Sequence, residues 1–249
     1  MAGHSKWKQI KHYKAATDAK RGALFTKLIR EITIAAKQGG GDPGGNARLR
    51  TAIEAAKANS MPKDNIERAI KKGTGELEGV DYQEVTYEGY GPGGVALVIG
   101  ALTDNPTRTV ADVRHKMSRL GGNLGTQNSV AFLFDRKGQL TVDATKHDED
   151  AALEAALEAG AEDFKREDDL YVVTTSPQDF HQVKSALEAK GVTIADSDPV
   201  VMVPKTTVKV EGKTAEQVLK LMEELDDLDD VQKVWANFDM DVADMVSSG

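Results

Sequence analysis

Apolar positions recur along this chain with a helical period first and a strand period later. Over roughly residues 20–38, Leu24, Leu28 and Ile32 step by four, and Phe25, Ile29 and Ala36 widen the same arc, which predicts an amphipathic helix. Lys20, Lys27, Arg30 and Lys37 fall together on the other side of that wheel, so one face is expected to pack and the other to stay positively charged. The run Gln38-Gly39-Gly40-Gly41-Asp42-Pro43-Gly44-Gly45 breaks the helix. Asn46 suits the N-cap of a second helix with Leu49, Ile53 and Ala56 inside. Pro62 suits the first turn of a third, which carries Ile66 and Ile70 and stops at Gly73. Three short helices make a small bundle.

After Gly79 the period shortens. Tyr82–Tyr90 reads as a strand, Gly91-Pro92-Gly93-Gly94 as a turn, and Val95–Leu102 as a buried strand. Thr103-Asp104-Asn105-Pro106 leads into a helix with Val110, Val113, Met117 and Leu120 inside, ended by Gly121-Gly122. Val130–Phe134 is expected as a further strand, and Lys137-Gly138 as a break. Residues 139–203 then run as strand (140–142), helix (148–159), a strand near 162–166, strand (170–174), helix (180–189) and strand (200–203). That order fits a ferredoxin-like β-α-β-β-α-β unit.

Residues 206–238 add strand, helix and strand, too few to close a core of their own. They would complete the unit begun at 80–134. The expected fold is therefore α+β and multidomain: an N-terminal three-helix bundle plus two ferredoxin-like α/β domains. The third domain is inserted into a discontinuous second, with boundaries at 1–79, 80–135 plus 205–249, and 136–204.

Composition narrows the chemistry. Hydrophobic residues make up 40% of the chain but aromatics only 5%, so the cores should be built from Val, Leu, Ile and Ala. The absence of cysteine excludes disulfides, zinc ribbons, iron–sulfur clusters and thiol nucleophiles. The longest strongly apolar run, Val95–Leu102, is far too short to span a bilayer. The basic start has no apolar stretch behind it, unlike a secretory signal, and its first twenty residues hold lysines without arginine, unlike a transit peptide. A cytoplasmic, monomeric protein with no membrane contact is expected.

Charge is distributed unevenly. Residues 1–75 hold 16 Lys+Arg against 6 Asp+Glu, a net of +10, whereas residues 76–249 hold 16 against 34, a net of −18. A cationic segment joined to an anionic body is expected of a protein that places one end on a polyanion. In the first residues, Lys6, Lys8, Lys11 and Lys14 are interleaved with His4, Trp7, His12 and Tyr13. Ammonium groups of such an arm find phosphates, and its rings stack on unpaired bases. The alternative is that Trp7 and Ile10 anchor the arm to the bundle. Arg108, Arg114, Lys116 and Arg119 form a second basic cluster inside the acidic body, readable as a phosphate site at a helix start or as ion pairs to neighbouring acids.

No catalytic constellation accompanies these clusters. Gly89, Gly91 and Gly94 spell G-x-G-x-x-G, but the residues that follow can only be strand, so the match reads as a hairpin turn rather than a dinucleotide site. His4, His12, His115, His147 and His181 show no i,i+3 or i,i+4 pairing for a metal. Asp226-Asp227 and Asp229-Asp230 read as solvated surface. No enzyme activity, metal or cofactor is expected.

Long strings in the chain resemble the YebC family, including its mitochondrial translational-activator branch. They are Ala2-Gly3-His4-Ser5-Lys6-Trp7, Ile10-Lys11-His12, Asp18-Ala19-Lys20-Arg21, Gly39–Pro43, the run Met61–Gly73, Tyr87–Gly94, Thr103-Asp104-Asn105, Arg108-Thr109 and Gly121-Gly122. Pro106-Thr107 and Ala131-Phe132-Leu133-Phe134 depart from the family pattern locally. The resemblance implies a three-domain, non-enzymatic regulator of gene expression, described either as a DNA-binding transcriptional regulator or as a ribosome-associated factor that helps translation through consecutive prolines. The partner implied is DNA or ribosomal RNA, in the second case together with ribosome and tRNA.

Overall fold

A computed structural model describes residues 18–240 of the chain. Helix α1 (Asp18–Gly39), α2 (Ala47–Ala58) and α3 (Lys63–Gly73) form the expected bundle, with Ile32, Ala36, Leu49, Ile53, Ala56, Ile66 and Ala69 in its core. Asn46 does more than cap α2. Its Oδ1 accepts from the Leu49 amide at 3.0 Å, while its Nδ2 donates to the carbonyls of Ala35 and Gly40, closing the end of α1. The close fit explains Gly39, where a Cβ would sit 2.6 Å from Asn46 Nδ2. Gly73 likewise lets α3 touch α1, since a Cβ there would lie 2.3 Å from the Thr33 carbonyl.

One expectation for α1 fails. Residues 32–36 are all buried, so the helix is covered all round over that stretch, whereas Leu24, counted in the apolar arc, is exposed. The charged side of α1 therefore packs at Lys27 and Arg30, while Lys37 stays exposed as expected.

Strand β1 (Gln83–Tyr90), β2 (Ala96–Thr103), helix α4 (Pro106–Arg119) and the short β3 (Asn123–Leu124) come next. Pro92–Gly94 forms the tight turn between β1 and β2, with Gly93 at φ 70°, so the glycine triplet is a hairpin connection. Glu88 on β1 is buried and accepts from the amides of Asn128, Val130 and Ala131 at 2.7–2.8 Å. Burial pushes its carboxyl up, but the amide donors outweigh burial and hold it below the ordinary carboxylate range.

The chain then forms β4 (Phe134–Asp143), α5 (Glu149–Ala159), β5 (Asp163–Glu167), β6 (Leu170–Thr175), α6 (Phe180–Ala189) and β7 (Ile194–Pro204). Their sheet has the order β5-β6-β4-β7 with every neighbour antiparallel. That is the ferredoxin-like arrangement, with Leu140, Val142, Tyr171, Val173, Phe180, Val183 and Leu187 buried in its core.

Two details correct the sequence reading. Residues 131–133 are a 3-10 turn rather than part of a strand, because the amides of Val130 and Ala131 are turned onto Glu88. Gly138 does not break the chain. It lies within β4, where a Cβ would stand 2.7 Å from the Phe180 ring, so the glycine admits a core side chain.

The last described elements are β8 (Val208–Lys209), α7 (Gly212–Asp226), β9 (Val231–Ala236) and β10 (Phe238–Asp239). Strand β9 pairs antiparallel with β2, giving the sheet order β3-β1-β2-β9, while β8 and β10 form a parallel pair. Leu97, Ile99 and Ala101 of β2 meet Val113 and Met117 of α4 and Val218, Leu221, Met222 and Leu225 of α7. Residues 132–206 form one compact unit, and the stretches on either side of it, 18–131 and 207–240, form the other.

Candidate nucleic-acid interface

The cations proposed from the sequence meet different fates. His4, Lys6, Trp7, Lys8, Lys11, His12 and Lys14 lie outside the described residues, and Lys20 falls in the opening turn of α1. The other three on α1 turn toward acids of their own chain. Lys27 donates to the Asp226 carbonyl and lies 3.7 Å from the Asp226 carboxylate. Arg30 donates to the Asp229 carbonyl and makes a 2.8 Å ion-pair contact with Asp230 Oδ1. Lys37 pairs with Asp81 at the exposed end of the helix.

Asp230 is the centre of this arrangement. Its side chain is 8% exposed, and that of Arg30 is 11% exposed. Arg108 donates to Asp230 Oδ2 at 2.8 Å and to Asp104 at 2.8 Å. Thr109 donates its hydroxyl to the same Oδ2 at 2.7 Å. Thr103 Oγ1 lies 2.7 Å from Thr109 Oγ1 and accepts from the Asn105 amide.

Burial pushes the Asp230 carboxyl up, but Arg108, Thr109 and Arg30 together hold it below the usual range. The hydrogen bond to Asp230, then that to Asp104, raise the pKa of Arg108. Arg30 from the bundle and Arg108 from the start of α4, which the sequence placed in separate clusters, thus converge on one buried carboxylate. The reading of Asp229-Asp230 as solvated surface fails at Asp230.

The remaining members of the second cluster divide. Lys116 and Arg119 both pair with Glu224 of α7, while Arg114 is exposed and makes no ion pair among the described residues. For Arg108, Lys116 and Arg119, ion pairing to neighbouring acids is the arrangement present. Arg48 of α2, which sequence reasoning passed over, grips Glu31 with two bonds of 2.7 and 3.1 Å and also pairs with Glu84. No local signal identifies Asp230 or Arg48, because their partners are remote in the chain.

No group of three or more His, Asp or Glu among the described residues could hold a metal ion. No helix among them is long and apolar enough to cross a membrane.

Known proteins share both the sequence and the fold. A family model described as "TACO1/YebC protein N-terminal domain" matches residues 5–76, and one described as "TACO1/YebC second and third domain" matches residues 82–238. A "Probable transcriptional regulatory protein" of Gemmatimonas aurantiaca is 67% identical over 241 residues, 97% of each chain. A protein of the same description from Desulforapulum autotrophicum is 57% identical over 240 residues, 96% of this chain and 97% of its own. The crystal structure of a conserved hypothetical protein from Aquifex aeolicus superposes with a TM-score of 0.83 at 49% identity, covering 90% of this chain and 92% of that one.

Proposed function

The chain belongs to the TACO1/YebC family, and from that premise we propose that it is a non-enzymatic regulator of gene expression that binds nucleic acid through its basic N-terminal region. The observation that carries the reading is charge segregation: +10 over residues 1–75 against −18 over the rest. A cationic head is drawn to phosphates while an anionic body limits non-specific adhesion. The regulatory description of the relatives agrees with it.

Binding of full-length protein to labelled duplex DNA and to ribosomal RNA, over a range of salt, tests the reading. If Lys6, Lys8, Lys11 and Lys14 engage about four phosphates, log affinity falls against log salt with a slope of roughly −3 to −4. Changing Lys8 and Lys11 to Ala then flattens the slope by about two. Weak binding without salt dependence, to either polymer, overturns the proposal. Binding confined to ribosomal RNA, with co-sedimentation on ribosomes, would make the protein a translation factor rather than a transcription regulator.

A further inference from the structure

We infer that the outer face of α3, carrying Arg68, Lys71 and Lys72, is a docking surface for the phosphate backbone of duplex DNA. This rests on the nucleic-acid reading above and assigns it to a helix that the charge pattern of the long first helix had overshadowed.

A cation held by a carboxylate has its charge largely neutralised before any phosphate arrives, so an unpaired one attracts a polyanion more strongly. In the bundle, Lys27, Arg30, Lys37 and Arg48 are all so held, and Arg50 is spent on the Pro43 carbonyl. Arg68, Lys71 and Lys72 are exposed and make no ion pair among the described residues. The acid nearest them along the helix, Glu67, is paired instead with Lys63 at 3.3 Å.

The geometry of the face also suits a duplex. Ile66 and Ala69 are buried beneath it, and the close approach at Gly73 sets α3 against α1, so the cations stand on a fixed support. The stem of Lys72 lies along Gly79, whose added Cβ would come within 3.1–3.5 Å of Lys72 Cβ, Cγ and Cδ. Four residues of helix advance about 6 Å, so three cations fall within that rise. A duplex carries one charge per about 1.7 Å of axis with both strands counted, so three or more phosphates lie within that rise.

The outer face has no aromatic ring and no amide other than Asn65, so it positions a backbone without reading bases. The regulatory role proposed above makes that duplex DNA. The competing explanation is that Lys71 and Lys72 only offset the helix dipole in its last turn.

The test is the salt dependence of binding between full-length protein and a labelled random-sequence DNA duplex, with a duplex RNA of matching sequence in parallel. With these three contacts added to those of the arm, the wild-type slope is expected at about −6; replacing Arg68, Lys71 and Lys72 together by Gln flattens it by about 2 to 3, and Lys71→Gln alone by about one. Thermal melts of both variants establish that they fold, and the single change guards against loss of the helix in the triple one. An unchanged slope in folded variants overturns the inference while leaving the regulator reading intact. A slope change seen only with duplex RNA overturns the assignment to DNA. Wild-type protein that binds neither duplex in a salt-dependent manner overturns this inference, and the nucleic-acid reading falls with it only where ribosomal RNA is not bound either.

Discussion

Helices α1 and α3 share one small bundle, and both are rich in cations, yet their charges have opposite destinations. On α1, Lys27 and Arg30 are nearly buried against the chain's own acids at 226–230. On α3, Arg68, Lys71 and Lys72 face solvent. The difference teaches that a cationic stripe on a helical wheel states where charge is, but not whether it is free. Desolvated guanidinium and ammonium groups are held at an internal contact by fixed carboxylates and carbonyls. Exposed ones keep their freedom to meet a mobile polyanion.

Perturbing the α1 contact should have the largest effect. Asp230→Ala removes the carboxylate shared by Arg30, Arg108 and Thr109, and is expected to cost about 3 kcal/mol, because it leaves charged and hydroxyl donors without their partner. Urea unfolding measures the loss, and hydrogen exchange should show added opening in α1 and at the start of β9. If both stay at wild-type levels, the contact is not what holds α1.

The same carboxylate gives the pH dependence its sign. Its folded pKa lies below the ordinary Asp value of about 3.9, so its contribution is complete above that value and is lost as pH falls through the folded pKa. Glu88, also depressed, acts in the same direction. Wild-type stability should therefore fall on acidification below about pH 4, and Asp230→Ala should show a shallower acid slope.

Gly73→Ala probes the joint between the two helices. The new Cβ meets the Thr33 carbonyl and the Ala36 methyl, so a loss of about 1–3 kcal/mol is expected, read as a lower melting temperature. Breaking the partly exposed Lys116–Glu224 pair with Lys116→Gln should cost less than about 1 kcal/mol and vanish in high salt. Smallest of all, Arg68→Gln should change stability by no more than about 0.5 kcal/mol. A large loss there would mean that α3's outer face is structural, and the contrast with α1 would collapse.

Much of this was readable from residue order. The caps and breakers Asn46, Pro62 and Gly73, the buried strand Val95–Leu102, the hairpin at Gly91–Gly94 and the helix beginning at Pro106 are set by interactions between close neighbours, and the structure has each of them. Gly138 and Val130 misled for the opposite reason. A glycine in a strand means either a break or the close approach of another side chain, and Phe180, which decides the matter, is far along the chain. Val130 has the side chain of a strand residue, but its amide belongs to Glu88 on β1.

The candidate site divides along the same line. By itself the sequence determined the helices, the cationic head and the acidic body, because helical period and net charge are properties of a local list of residues. Only the tertiary structure decided which cations are free. It brought Arg30 and Arg108 to Asp230 and left Arg68, Lys71 and Lys72 facing water. The physical reason is that a charge is cancelled by whatever stands within a few ångströms of it, and for Arg30 that neighbour is 200 residues away in the chain.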